Sequence, residues 1–128
     1  MSDRSVQITV EGQQYDLVLS TRAAMELSSR YGGLEHVGEK LMKPENLEQA
    51  FNETIWIIMT LLNQDIMLYN LRHRGEPEKP LFTEEELKLI LTPIELMEFK
   101  EKIVEAYKLG MRRNVLSEEN PSKNAAVG

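Results

Sequence analysis

Apolar and polar positions alternate in the first part of the chain. Val6, Ile8 and Val10 interleave with Gln7, Thr9 and Glu11, and Tyr15, Leu17 and Leu19 interleave with Gln14, Asp16 and Val18. A period of two on both arms, interrupted at Gly12, predicts a β-hairpin with one buried and one wet face. Gly12 suits a tight turn that needs positive φ. Two strands alone are marginal in water, so helices must cover the apolar face. The two short helices that follow are the candidates.

From Ser20 onward the period changes to that of a helix. Ser20 or Thr21 caps a helix over 21–31 with Ala24, Leu27 and Tyr31 on one face, and Gly32 and Gly33 end it. Leu34, Val37 and Leu41 predict a second short helix over 34–42, closed by Lys43 and Pro44. Leu47, Phe51, Ile55, Ile58, Leu62, Ile66 and Tyr69 recur every three or four residues, predicting a helix over 45–72 that starts at Pro44. If continuous it is about 42 Å long, although Asn63-Gln64-Asp65 are three polar residues at which it could bend. Thr83 with Glu86, and Thr92 with Glu95, form two capping boxes, the second with Pro93 at the first helical position. They predict helices over 84–91 and 93–112, the latter striped by Leu96, Phe99, Ile103, Tyr107 and Met111. The expected fold is therefore α+β and mostly helical: a two-stranded antiparallel hairpin packed on about five helices. Residues 1–116 read as one domain and the polar stretch 117–128 as a disordered tail.

Charge narrows the function. Lys plus Arg number 15 against 21 Asp plus Glu, for a net charge of −6, which disfavours phosphate backbones as partners. The densest basic cluster, Arg72-His73-Arg74, falls where a long helix ends, and cations there complement its dipole. The absence of cysteine excludes disulfides, thiol catalysis and thiolate-bound zinc. No apolar core follows the first charges, so no secretory signal is expected. IWIIMTLL at 55–62 is too short to span a bilayer, which takes about 20 apolar residues. Neither nucleic acid nor membrane is expected as a partner.

Candidate chemistry is sparse. Glu35 and His36 are neighbours that point apart on a helix, Glu39 and Lys40 read as a solvated face, and Glu84-Glu85-Glu86 suit a helix N-terminus. No glycine-rich strand-to-helix loop offers a phosphate cradle. A non-enzymatic protein without metal or cofactor is expected. Apolar material is instead in surplus. Six internal methionines (Met25, Met42, Met59, Met67, Met97 and Met111) lie mostly on helical stripes, where thioethers either fill gaps between helices or line an adaptable groove. Trp56 and Met59 make the middle of the long helix apolar nearly all round. Met67, Tyr69 and Leu71 do the same near its end, and Leu81-Phe82 follow in the connector. Trp56, Met59, Met67, Tyr69, Leu71 and Phe82 are thus candidate partner-binding residues, with packing against the chain's own core as the default alternative.

The order of parts resembles the small tail-assembly chaperones of tailed bacteriophages and prophages. The matching positions are Val10, Gly12, Tyr15, Leu17, Leu19, Thr21, Arg22, Ala23, Leu27, Gly32, Gly33 and Leu34, followed by Trp56 on a long helix and the Thr83–Leu87 segment. The likeness spans about residues 6–112. It implies a chaperone that shields the apolar helical tape-measure protein and recruits tail-tube subunits. Such a chaperone works in the bacterial cytoplasm and is absent from the mature virion; separately, the all-round apolar middle of the 45–72 helix allows a homo-oligomer in which a second chain covers part of it. The family also implies a frameshifted longer product, and Lys123-Asn124 can be encoded as AAA AAC, a slippery run. The alternative is a minor structural tail or connector protein retained in the virion.

Overall fold

The computed structural model describes residues 5–105. Strand β1 (Ser5–Val10) pairs antiparallel with β2 (Gln13–Val18) in a two-stranded sheet, in continuous register from Ser5 opposite Val18 to Val10 opposite Gln13. Glu11 at φ 52° and Gly12 at φ 80° make the turn. Both residues take the left-handed conformation that a two-residue hairpin turn of matching twist demands.

Helix α1 (Thr21–Tyr31) starts at Ser20, whose hydroxyl accepts from the Ala23 amide at 3.0 Å, and ends at Gly32 with φ 80°. Its buried side is Ala23 and Leu27, with Ala24 and Tyr31 half-buried beside them. The expected second helix divides into a single 3-10 turn (Leu34–His36) and α2 (Val37–Met42).

The long helix α3 runs unbroken from Leu47 to Arg72, 26 residues and about 39 Å. Its start lies two residues beyond the predicted one. Asn46, not Pro44, initiates it, because the Asn46 carboxamide accepts from the Gln49 amide at 2.8 Å. Nor does the polar triplet interrupt it; each of its side chains has a partner. Asn63 holds the backbone of Phe82, Gln64 accepts from the Ser20 hydroxyl and donates to Thr60 O at 3.1 Å, and Asp65 accepts from the Asp16 amide at 2.8 Å.

Helix α4 (Glu84–Ile90) and helix α5 (residues 93–105) open on the two expected capping boxes. Thr83 N donates to Glu86 at 2.9 Å and Glu86 N to Thr83 at 3.2 Å; Thr92 and Glu95 repeat the pair with the same distances. Leu96, Phe99 and Ile103 are buried as the stripe requires. Tyr107, Met111, the remainder of the predicted 93–112 helix and the 117–128 tail lie outside the described residues.

The fold is α+β and mostly helical, with α3 at its centre: β2, α1, α2 and α4 all pack on it. The hairpin is therefore covered chiefly by α3, not by the two short helices, which lean on α3 themselves. One continuous apolar cluster joins Ile8, Val10 and Leu17 to Ile55, Ile58, Leu62, Leu87 and Ile103. Every buried side-chain polar atom among the described residues has a hydrogen-bond partner.

Candidate partner-binding surface

The connector after α3 is laid back along the helix by two asparagines. Asn63 Nδ2 donates to Phe82 O at 3.0 Å while its Oδ1 accepts from Phe82 N at 2.9 Å. Asn70 makes the same two bonds with Lys79, at 3.0 and 2.9 Å. The spacings explain why both clamps close at once. Seven helical residues rise about 10.5 Å, and three extended residues span about 10 Å. Pro80 lacks an N–H and biases Lys79 towards extended backbone, which keeps the connector in that form.

The clamped connector and the last turns of α3 enclose an open concavity of about 490 Å³ lined by Met67, Asn70, Leu71, Arg74, Glu78, Lys79, Pro80 and Leu81. Leu71 is 54% and Leu81 44% exposed, and Met67 is half-buried. Apolar side chains with Arg74, Glu78 and Lys79 among them resemble a small protein-interface patch, apolar inside and charged at its rim.

Five of the six sequence-derived candidates separate into two groups, and the sixth, Tyr69, belongs to neither. Met67 and Leu71 share this concavity, with Leu81 as their third apolar neighbour. Trp56, Met59 and Phe82 pack against the chain's own core. The Tyr31 ring meets Trp56 edge-on at 6.1 Å, the Arg30 guanidinium sits 4.3 Å from the centre of an indole ring, and Phe82 meets Tyr15 edge-on at 5.5 Å. Tyr31 donates to Glu53, and burial, reinforced by that carboxylate, pushes its phenol far above its ordinary range. Tyr69 stacks on His73 at 3.8 Å and carries the Lys79 ammonium 4.0 Å from its ring centre. His73 also donates to Tyr69 O at 2.8 Å, closing the C-terminus of α3 as the basic cluster suggested.

A second concavity, about 440 Å³, lies at the other end of α3, between Leu47, Phe51 and Ile55 and the Lys88, Leu91, Pro93 and Leu96 side chains. Periodicity alone puts Leu47 on the buried stripe, yet it is 69% exposed. Its position in the first turn, beyond the elements that cover the middle of α3, leaves it open. Met25 and Met97, each 67% exposed, are not core fillers either. The side chains of Met42 and Met111 lie outside the description.

The one histidine cluster is tighter than the sequence indicated. The 3-10 turn places His36 between two carboxylates, with Nδ1 2.9 Å from Glu39 and Nε2 3.8 Å from Glu35. The hydrogen bond to Glu39 raises the imidazole pKa above its ordinary value and lowers that of Glu39. Among the described residues no group of three or more His, Asp and Glu side chains converges as a metal site. No helix among them is long and apolar enough to cross a membrane. Comparison with models of protein families, with curated proteins and with solved structures finds no match.

Proposed function

We propose that the chain is a non-enzymatic tail-assembly chaperone of a tailed bacteriophage, with the Met67–Leu71–Leu81 concavity as its client-binding surface. The observation that carries this reading is the concavity itself: Met67 and Leu71 on α3 face Leu81 of the connector that Asn63 and Asn70 clamp, with charge at the rim. An amphipathic helix offers a complementary row of apolar side chains at three- and four-residue spacing. A tape-measure protein exposes such rows before the tail tube encloses it, and an acidic cover keeps them from aggregating. The family resemblance suggests the client, and an apolar concavity at the end of α3 is consistent with one of its helices as ligand.

Co-expression with the long helical tail protein of the same phage is the test. Soluble recovery of that protein should rise in the presence of this chain, and Met67→Asp or Leu71→Asp should reduce the rescue while leaving the circular dichroism unchanged. If the long protein is equally insoluble with and without this chain, the reading fails. Detection of the chain in purified virions by mass spectrometry favours the structural alternative.

A further inference from the structure

The small sheet has two edges, and they are treated differently. Val10 and Gln13 flank a two-residue turn, so they form a hydrogen-bonded pair, and such pairs alternate along an antiparallel ladder with pairs whose backbone groups face outward. Val10 with Gln13, Ile8 with Tyr15 and Val6 with Leu17 are then bonded across the hairpin. Ser5, Gln7 and Thr9 on β1, like Gln14, Asp16 and Val18 on β2, turn their amides and carbonyls away from it. The Asp16 amide verifies this phase, because it donates outward to Asp65 on α3 at 2.8 Å. On β2 the outer edge is thus met by the central helix at Asp16.

The β1 edge has no such cover among the described residues: β2 is its sole strand partner. Gln7 and Thr9 are exposed. Edge strands of monomeric proteins are ordinarily blunted by lysine, proline, a bulge or an inward-pointing charge. The β1 sequence, SVQITV, contains no charge and no proline, and its register runs without a bulge. Such a strand is a template for another strand.

We infer that β1 pairs antiparallel with β1 of a second copy of this chain, about a two-fold axis at Gln7. The choice of a second copy follows from self-complementarity. Outward-facing residues must meet outward-facing residues, and the longest register places Ser5 opposite Thr9, Gln7 opposite Gln7, and Thr9 opposite Ser5. Val6 then faces Ile8 of the second copy on the apolar side of the sheet, and vice versa. Gln7 meets its own counterpart on the wet side, where cross-strand amides can bond. The antiparallel pattern yields roughly six hydrogen bonds between copies and a four-stranded sheet. Although each copy is acidic overall, the pairing strand is uncharged. Pairing is isologous and closes at two copies. This inference is independent of the client surface, which lies at the end of α3.

Sedimentation velocity over roughly 1 μM to 1 mM, the range for interfaces this small, should show a monomer–dimer equilibrium. Gln7→Lys and Gln7→Glu should each weaken it by about fivefold, through like charges directly opposed across the axis. Mixing the two variants in equal amounts should restore it, while Gln14→Lys on β2 should leave it unchanged. In the unaltered chain, the Gln7 and Thr9 amides should gain hydrogen-exchange protection as concentration rises, and the Ile8 amide should not. The inference is overturned by a monomer at every concentration, by association indifferent to Gln7→Lys, or by Gln7 and Thr9 amides that exchange freely throughout.

Discussion

Asn63 and Asn70 perform the same chemistry in different surroundings, and the difference sets what each is worth. Both clamp a connector residue through its amide and carbonyl. Asn63 is buried and reaches Phe82, which packs on the core, whereas the Asn70–Lys79 pair is exposed to water. When Asn63 is truncated, the Phe82 backbone loses both partners where water enters poorly, a cost of about 2–3 kcal/mol. When Asn70 is truncated, water replaces the carboxamide and the cost is about 0.5–1 kcal/mol. Urea denaturation of Asn63→Ala and Asn70→Ala should therefore show the first clearly more destabilised than the second, with equal slopes. Equal losses would mean that the Asn63 clamp is solvated. The Asn70 variant carries a second expectation: releasing Lys79 loosens the rim of the proposed client surface, so on that proposal it should weaken rescue of the tail protein more than its small stability loss explains.

The elements divide by whether their causes are local. The hairpin, both capping boxes and the glycine stop of α1 were legible because each is decided within a few residues: alternation around Gly12, Thr83 with Glu86, Thr92 with Glu95, and Gly32 at positive φ. The continuity of α3 was not. The partners of Asn63, Gln64 and Asp65 lie 19, 44 and 49 residues away in sequence, and no local rule distinguishes a polar triplet that ends a helix from one that anchors three other segments. The candidate surface was half legible for the same reason. Periodicity found the surplus apolar positions Met67 and Leu71 but could not show that Trp56 and Phe82 have aromatic neighbours in α1 and β2. The start of α2 has an electrostatic consequence of its own. His36 stands at the N-cap position of this helix, without a side-chain capping bond, and holds Glu39 against its ring. A raised histidine pKa contributes stability below the unfolded value of about 6.5 and loses it as pH rises through the folded value. The lowered Glu39 pKa contributes above the unfolded glutamate value of about 4.3 and loses it as pH falls through the folded one. The pair therefore supports α2 most between about pH 4.3 and 6.5. In an NMR titration the His36 pKa should fall towards its ordinary value in Glu39→Gln, and an unchanged midpoint would assign the shift to Glu35 alone.

At the scale of the molecule, α3 is the element on which the others depend. Ile57, Ile58 and Leu62 on it have no exposed surface, and they belong to the same cluster as residues of the hairpin, α1, α2, α4 and α5. A two-stranded hairpin and a seven-residue helix such as α4 cannot stand alone in water. Their stability must be borrowed from contact with α3, so they should open together with it and not beforehand. Ile58→Ala removes buried methyl and methylene groups at the centre of this arrangement, at a cost of about 2–5 kcal/mol, set against about 5–15 kcal/mol for a whole domain. Hydrogen exchange is the discriminating measurement. In Ile58→Ala the hydrogen-bonded amides of the hairpin, α1 and α4 should lose protection together and by similar factors, because one global opening governs them all. Leu89→Ala, on α4 at 88% exposure, should leave the pattern unchanged. If the hairpin amides kept their protection while those of α3 lost theirs, the sheet would possess stability of its own. A cohesive α3 also matters to the proposed client surface: its concavity holds its shape only while Asn63 and Asn70 stay in register on one unbroken helix. The same substitution should thus lower client rescue at temperatures where the Ile58→Ala chain begins to melt, and restore it on cooling.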